Sequence, residues 1–95
     1  MSTSNQINAV WVFSGNGGSF PAAVFSTKHL AEEWIRSTGV SGTLTEHPLN
    51  ISAYEWSITN GSFTPRREDQ KQPKFIQQFS SASQDHYHYE SREEV

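Results

Sequence analysis

Short runs of β-branched and aromatic residues in the first half of the chain are separated by polar, glycine-containing segments, which predicts β-strands joined by turns. Residues 9–13 form the first run, and the glycine-rich segment 14–19 after it predicts a hairpin loop. Residues 20–25 predict the second strand of that hairpin. Residues 42–47 alternate in character and predict a third strand, which ends at Pro48.

A helix over residues 28–38 has the clearest local pattern in the chain. Four of its residues share one helical face, namely Leu30, Ala31, Trp34 and Ile35. Ser26 or Thr27 is suited to cap the N-terminus, and Gly39 fits the left-handed position that ends a helix. The sequence therefore predicts an amphipathic helix with both ends defined.

Residues 52–61 fit two structures. Ser52 and Glu55 have the spacing of a helix capping box, which favours a short helix. Aromatic and aliphatic residues at every second position from 54 to 58, followed by an asparagine–glycine pair, fit a strand and a hairpin turn instead. We favour the helix and keep the hairpin as the alternative.

The last third of the chain predicts a loop, a helix and a strand. Residues 65–72 are charged and lack apolar side chains, which indicates an exposed loop. Pro73 suits the first position of a helix, and the apolar residues after it predict a two-turn helix over 73–79. Residues 86–90 alternate with period two, which predicts a final strand.

These elements together predict an α+β domain with a small antiparallel sheet of three to five strands and two or three helices packed on one face. Residues 9–90 form this single domain, residues 1–8 are predicted to be disordered, and residues 91–95 form a charged tail. The predicted core comprises Trp11, Phe13, Val24, Leu30, Trp34, Ile35, Leu44, Trp56, Ile58, Phe75, Ile76 and Phe79.

The composition indicates which side chains build that core. The chain has 95 residues and only 34% are hydrophobic, below the usual ~45–50%. Aromatic residues make up 13%, and each ring can bury about 150–250 Å². We therefore expect a core built on large rings. Cysteine is absent, which excludes disulfides, thiol catalysis and thiolate metal sites.

Charge and hydropathy restrict the partners. The net charge of −3 disfavours generic nucleic-acid binding, which needs a basic surface. No apolar run approaches the ~20 residues of a membrane span, and residues 1–8 lack the features of a signal peptide. We therefore expect a cytoplasmic protein with no membrane partner.

The final strand holds the strongest candidate for site chemistry. Residues two apart share a face of a strand, so His86, His88 and Glu90 project to one side. Imidazole and carboxylate bind divalent metals such as Zn²⁺, and His47 or Asp85 could complete such a site. In the alternative interpretation, the tyrosines between these residues face the core and the histidines lie on the solvated face of an edge strand.

Two charged segments are candidate contact surfaces. The first is either a solvated loop or a contact for phosphate or an acidic partner. It contains Arg66, Arg67, Lys71 and Lys74, offset by Glu68 and Asp69. The second is the acidic C-terminal end, which can dock on a basic surface. It contains Asp85, Glu90, Glu93 and Glu94 against the single cation Arg92.

Several motifs together resemble a family of small bacterial proteins of unknown function. They are Trp-Val-Phe at 11–13, Gly-Thr-Leu-Thr-Glu-His-Pro-Leu at 42–49, and Ser-Ala-Ser-Gln-Asp-His-Tyr-His-Tyr-Glu at 81–90. The last is the most specific, and the resemblance spans residues 9–90. It implies a compact domain that stands alone, and it implies no particular activity.

The function we expect is that of a small acidic, non-enzymatic protein-binding module, such as an immunity protein or an inhibitor that blocks a partner protein. The expected contact residues are Asp85, His86, His88, Glu90, Glu93 and Glu94. The alternative is a metal-binding protein or metal-dependent enzyme that uses His86, His88 and Glu90 with Zn²⁺ or another divalent ion. An exposed edge strand would also permit a homodimer.

Overall fold

The computed structural model describes residues 8–90, which form a four-stranded sheet and three α-helices. The elements are β1 (Ala9–Gly15), β2 (Ala23–Phe25), α1 (Lys28–Thr38), β3 (Gly42–Pro48), α2 (Ala53–Thr59), a 3-10 helix (Glu68–Lys71), α3 (Pro73–Gln77) and β4 (His86–Tyr89). All neighbouring strands are antiparallel, in the order β2-β1-β3-β4. The predicted α+β class and strand number are confirmed. Most of the predicted disordered start and all of the charged tail, with Glu93 and Glu94, lie outside the described residues.

Helix α1 has the predicted bounds because its predicted capping residues at both ends form hydrogen bonds. The Thr27 hydroxyl accepts a hydrogen bond from the Leu30 N–H at 3.1 Å, which satisfies one of the free donors of the first turn. At the other end Gly39 has φ 74° and donates its N–H to the Ile35 carbonyl at 2.9 Å.

Helix α2 forms within residues 52–61, the segment whose sequence fits both a helix and a hairpin. The Ser52 hydroxyl accepts from the Glu55 N–H at 3.0 Å, which is half of the predicted capping box. Ser57 then lies fully buried on the inner side of the helix, and Tyr54 is buried one turn before it. The hairpin alternative is wrong because the cap fixes the backbone as helical before the alternating residues begin.

One face of the sheet packs against α1, and we call it the helix face. In the register of the sheet, Phe13 of β1 pairs with Leu44 of β3, and Leu44 pairs with Tyr87 of β4. Phe13 and Leu44 are almost completely buried, together with Ala31 and Ile35 of α1. These four side chains are the centre of the core.

The opposite face, which we call the open face, carries the alternate residues. Val24, Val12, Thr45 and His86 form one row across the four strands. Val24 is 59% exposed and His86 is exposed as well. Because side chains alternate along a strand, burial of the Phe13 row on the helix face sends this row to the other side.

A second aromatic cluster lies outside the sheet and joins the C-terminal helices. The rings of Tyr54, Phe63, Phe75 and Phe79 lie with their centroids 5.0 to 6.2 Å apart. The Tyr54 hydroxyl donates to the Gln70 carbonyl at 2.7 Å, which ties the 3-10 helix to α2. Rings therefore replace aliphatic side chains in this part of the molecule, as the composition predicts.

Four members of the predicted core are exposed. They are Val24, Leu30, Ile58 and Ile76. Val24 belongs to the open face, and Leu30 lies one position away from Ala31, which α1 turns into the sheet. Short apolar patterns predict that one face is buried, but the tertiary packing decides which residues at its margin are covered.

Strands β1 and β3 approach each other most closely at Gly42. A side-chain Cβ at this position would overlap the Ser14 carbonyl oxygen and would lie 2.8 Å from the Phe13 ring. We therefore predict that Gly42→Ala lowers the free energy of unfolding by about 1–3 kcal/mol, the usual cost of overpacking. Urea unfolding measures this change.

Gly18 provides the matched control. It lies in the β1–β2 loop, and a Cβ there would make contacts of 3.4 Å or longer. Gly18→Ala should change the stability by less than about 0.5 kcal/mol. Equal effects of the two substitutions would contradict the close approach of the strands at Gly42.

Candidate functional site

Strand β4 forms an edge of the sheet, and its backbone N–H and C=O groups point alternately toward β3 and away from it. The Glu46 N–H donates to the Asp85 carbonyl at 2.9 Å, so residue 85 turns its backbone toward β3. The direction alternates along an antiparallel strand, so the N–H and C=O groups of His86 and His88 point away from β3. Within residues 8–90, no strand pairs with this outer edge.

The tyrosines of β4 anchor the strand to α1. The Tyr89 hydroxyl donates to a Glu32 carboxylate oxygen at 2.8 Å, and the Lys28 ammonium lies 3.7 Å from the centre of the Tyr87 ring. Burial, and then the hydrogen bond to Glu32, raise the pKa of Tyr89 to about 12. The tyrosines thus face the helix layer, in agreement with the interpretation that leaves the histidines on the solvated side.

His86 and His88 lie next to each other on the open face. Their rings are 5.3 Å apart between centroids and nearly perpendicular. His86 Nδ1 lies 2.9 Å from the Gln84 carbonyl, which can only accept, so Nδ1 carries a proton and a neutral ring keeps its Nε2 lone pair free. Among residues 8–90, no three His, Asp or Glu side chains gather as a metal-ligand set, so Glu90 is not brought together with the two imidazoles.

Gln84 is a buried polar residue that sequence reasoning did not identify as part of the site. It is 3% exposed, and its Nε2 lies 3.0 Å from the Glu46 carbonyl and 3.3 Å from His47 Nδ1. The Glu46 carbonyl can only accept, which fixes the amide orientation, so His47 Nδ1 must accept as well. Burial lowers the pKa of His47, and protonation of Nδ1 would oppose the Gln84 N–H.

A groove of about 320 Å³ runs along the open face beside β3 and β4. It is lined by Thr43, Thr45, His47, Gln84, His86 and the segment 80–82. The hydroxyls and imidazoles offer both donors and acceptors. The groove can therefore hold water or a small polar group.

A smaller depression of about 140 Å³ lies where the start of β1, the end of β3, α2 and the two residues before β4 meet. The sequence assigned Trp56 to the core, but the structure places it half-buried at this depression. Two carboxylate residues, Glu46 and Asp85, line the same depression with Gln84. No sequence motif signals this site, because strand pairing and the position of α2 bring its residues together.

The basic segment and the acidic end are placed in different environments. In the basic segment, Arg67 bonds to Asp69 at 2.9 Å and Lys71 bonds to Glu68 at 3.4 Å. Asp85 and Glu90 at the acidic end are exposed. Part of the positive charge is therefore balanced within its own segment, and the acidic groups flank β4.

Comparison with known proteins gives a family but no activity. Residues 10–95 match the family model described as Domain of unknown function (DUF7710). The chain belongs to this family. No curated protein and no solved structure matches it.

The DUF7710 match confirms the resemblance to a family of unknown function and includes all four strands except the first residue of β1. It also includes the residues of the groove, the depression and β4 described above, from Thr43 to Glu90. Among the described residues of this DUF7710 domain, no helix combines the length and the apolar character needed to cross a bilayer.

The half-buried His47 predicts a pH-dependent stability for the DUF7710 domain. Folding lowers the pKa of His47, so the unfolded chain binds a proton near pH 6.5 while the folded chain binds it only at a lower pH. The neutral His47 side chain is therefore accommodated at no cost above this pH, and the folded state loses stability as the pH falls. His47→Asn keeps an acceptor for Gln84 and removes the titrating ring. We expect the stability of the wild type to fall relative to that of His47→Asn between about pH 7 and pH 5.

Urea unfolding of both proteins at each pH measures this difference. A stability difference between wild type and His47→Asn that stays constant over the range would contradict a lowered pKa of His47 in the folded domain.

Proposed function

We propose that this domain is a small acidic, non-enzymatic protein-binding module that acts in the cytoplasm, and that it binds its partner along β4. The β4 edge surface consists of Asp85, His86, His88 and Glu90, all of them exposed. Glu93 and Glu94 follow these residues in the sequence and lie outside the described residues. The observation that carries the proposal is the outer edge of β4, with which no strand of residues 8–90 pairs.

The backbone of β4 supports strand addition by a partner. His86 and His88 direct their N–H and C=O groups outward, and an extended segment can pair with such groups. Exposed edges are commonly blocked by lysine or proline, but β4 contains neither. At the other edge of the sheet β2 has only three residues, so β4 offers the longer edge.

The charge of the surface supports a basic partner. Asp85 and Glu90 flank the two histidines, and the tail after them contains two glutamates against one arginine. Complementary charge speeds association and selects among partners. A small acidic domain with such an edge suits an immunity protein or inhibitor, which would block its partner by covering a basic functional surface.

The test uses a partner isolated from the source cell, identified and then purified. Because the N–H of His88 points away from β3, His88→Pro removes an edge donor and leaves the β3–β4 hydrogen bonds in place. We expect the affinity to fall at least about tenfold in His88→Pro, a loss of about 1.4 kcal/mol or more. His88→Ala removes the same imidazole, keeps the N–H, and should bind within about threefold of wild type.

Circular dichroism checks that both variants are folded, and an assay of the partner's own activity tests inhibition directly. A folded His88→Pro that binds as tightly as His88→Ala would contradict pairing along the edge. A dimer of the wild type that His88→Pro separates would show that a second copy occupies the edge.

Metal binding is the second candidate function, favoured by the proximity of the two imidazoles. His86 and His88 would supply two ligands, and Glu90 would have to rotate toward them to supply a third. Calorimetric titration of metal-free protein with ZnCl₂ should then give one site that is lost in His86→Gln. Less than about a tenth of an equivalent of bound metal would contradict this function.

A further inference from the structure

The groove on the open face is lined by two imidazoles that one residue, Gln84, fixes in opposite tautomers. His47 Nδ1 accepts from the Gln84 amide N–H at 3.3 Å, so the neutral His47 ring carries its proton on Nε2. His86 Nδ1 donates to the Gln84 main-chain carbonyl at 2.9 Å, so the neutral His86 ring keeps a lone pair on Nε2. One ring can therefore donate from Nε2, and the other can accept there.

The burial of Gln84 holds the His47 tautomer in place. Gln84 is 3% exposed, and its amide nitrogen also donates to the Glu46 carbonyl at 3.0 Å. A flipped amide would set its oxygen against that carbonyl oxygen, and neither atom can donate. The donor at His47 and the acceptor at His86 are thus part of the folded structure before any ligand binds.

The two Nε2 atoms are available to a ligand. Neither forms a hydrogen bond with another of residues 8–90. In this range Ser57 Oγ is the only buried polar side-chain atom without a partner, so Nε2 of the half-buried His47 is accessible to solvent. Thr45 pairs with His86, so His47 lies diagonal to His86 across the two strands. Diagonal neighbours are about 7–8 Å apart, and a small group can therefore contact both rings.

The remaining residues of the groove disfavour several kinds of ligand. Among the described residues that line it, none is acidic, basic or aromatic apart from the two histidines. A charged ligand would be desolvated without a counter-ion, and a planar ring system would find no aromatic ring of this type to stack on. A metal ion does not suit this pair of imidazoles, because it needs a lone pair from each ring and His47 Nε2 carries a proton.

We propose that the groove binds a primary carboxamide, the side chain of an asparagine or glutamine of the protein partner. The carboxamide oxygen accepts from His47 Nε2, and the carboxamide nitrogen donates to His86 Nε2. A carboxylate would lack the donor for His86, and an ammonium group would lack the acceptor for His47. The volume of about 320 Å³ accommodates such a side chain.

The groove adjoins the β4 edge surface, and this inference rests on the function proposed for that surface. His86 belongs to both, because its side chain lines the groove and its backbone groups point outward from the edge. A partner that lies along β4 therefore has the groove beside it. Strand addition uses main-chain hydrogen bonds for affinity and side-chain pockets for specificity, and the groove would supply such a pocket.

The test follows the imidazole nitrogens of the ¹⁵N-labelled full chain by nuclear magnetic resonance at about pH 8, above the usual pKa of imidazole. In the free protein we expect His47 to be protonated at Nε2 and His86 at Nδ1. The probe is N-acetyl-glutamine methylamide, and both rings should shift and saturate as it is added. The methyl ketone analogue of this probe keeps the side-chain carbonyl but lacks the NH₂ group. It should bind at least about threefold more weakly, because one hydrogen bond is lost.

Two alanine variants locate the probe on the open face. His86→Ala removes the acceptor and should weaken binding of the glutamine probe at least about threefold. His88→Ala is the matched control, since His88 is the next residue of β4 on the open face but is not among the residues that line the groove. It should leave probe binding unchanged. With the purified partner, His86→Ala should lower the affinity by a similar factor.

Three results would overturn the carboxamide site: other tautomers of His47 and His86 in the free protein, equal binding of the two probes, or equal effects of the two alanine variants. Probe binding that His86→Ala weakens without any change in affinity for the partner would overturn the assignment to the partner and indicate a free carboxamide compound. The free probe requires no β4 pairing, and His88→Pro tests pairing without the probe. Failure of the groove proposal is therefore distinguishable from failure of the edge proposal.

Discussion

The burial of Phe13 and Leu44 against Ala31 and Ile35 is the contact on which the rest of the structure depends. It fixes which face of the sheet meets α1. Because a strand alternates its side chains, one buried row determines the exposure of every row beside it. His86 and His88 point to solvent for this reason, and the tyrosines that alternate with them contact the helix. The candidate surface is thus a consequence of core packing rather than a separate addition to the fold.

Local signals predicted the helices better than the core. α1 begins and ends as its cap residues indicate, and Ser52 decided between helix and hairpin for α2. The exposure of Val24 and Leu30 was not predicted, since it depends on strand register and on the rotation of a helix over the sheet. These are long-range properties, and a short periodic pattern contains no information about them.

The site was predicted in part for the same reason. The alternation at 86–90 correctly separated the histidines from the tyrosines, because both belong to one strand. The depression joins Glu46, Trp56 and Asp85, which are distant in sequence and are brought together only by the β3–β4 pairing and the position of α2. Gln84 lies in a serine-rich connector with no periodic pattern, so its burial and its contact with His47 required the fold.

The proposed function depends on the outer edge of β4, which no strand in the described part of the chain covers and which we propose is free for a partner. Hydrogen exchange of the backbone amides in the free protein, followed residue by residue by nuclear magnetic resonance, tests it most directly. With a free outer edge, exchange should be slow for Tyr87 and Tyr89, whose N–H groups face β3, and fast for His86 and His88. Equal protection of all four amides would contradict it, because it would mean that the outer edge is already covered.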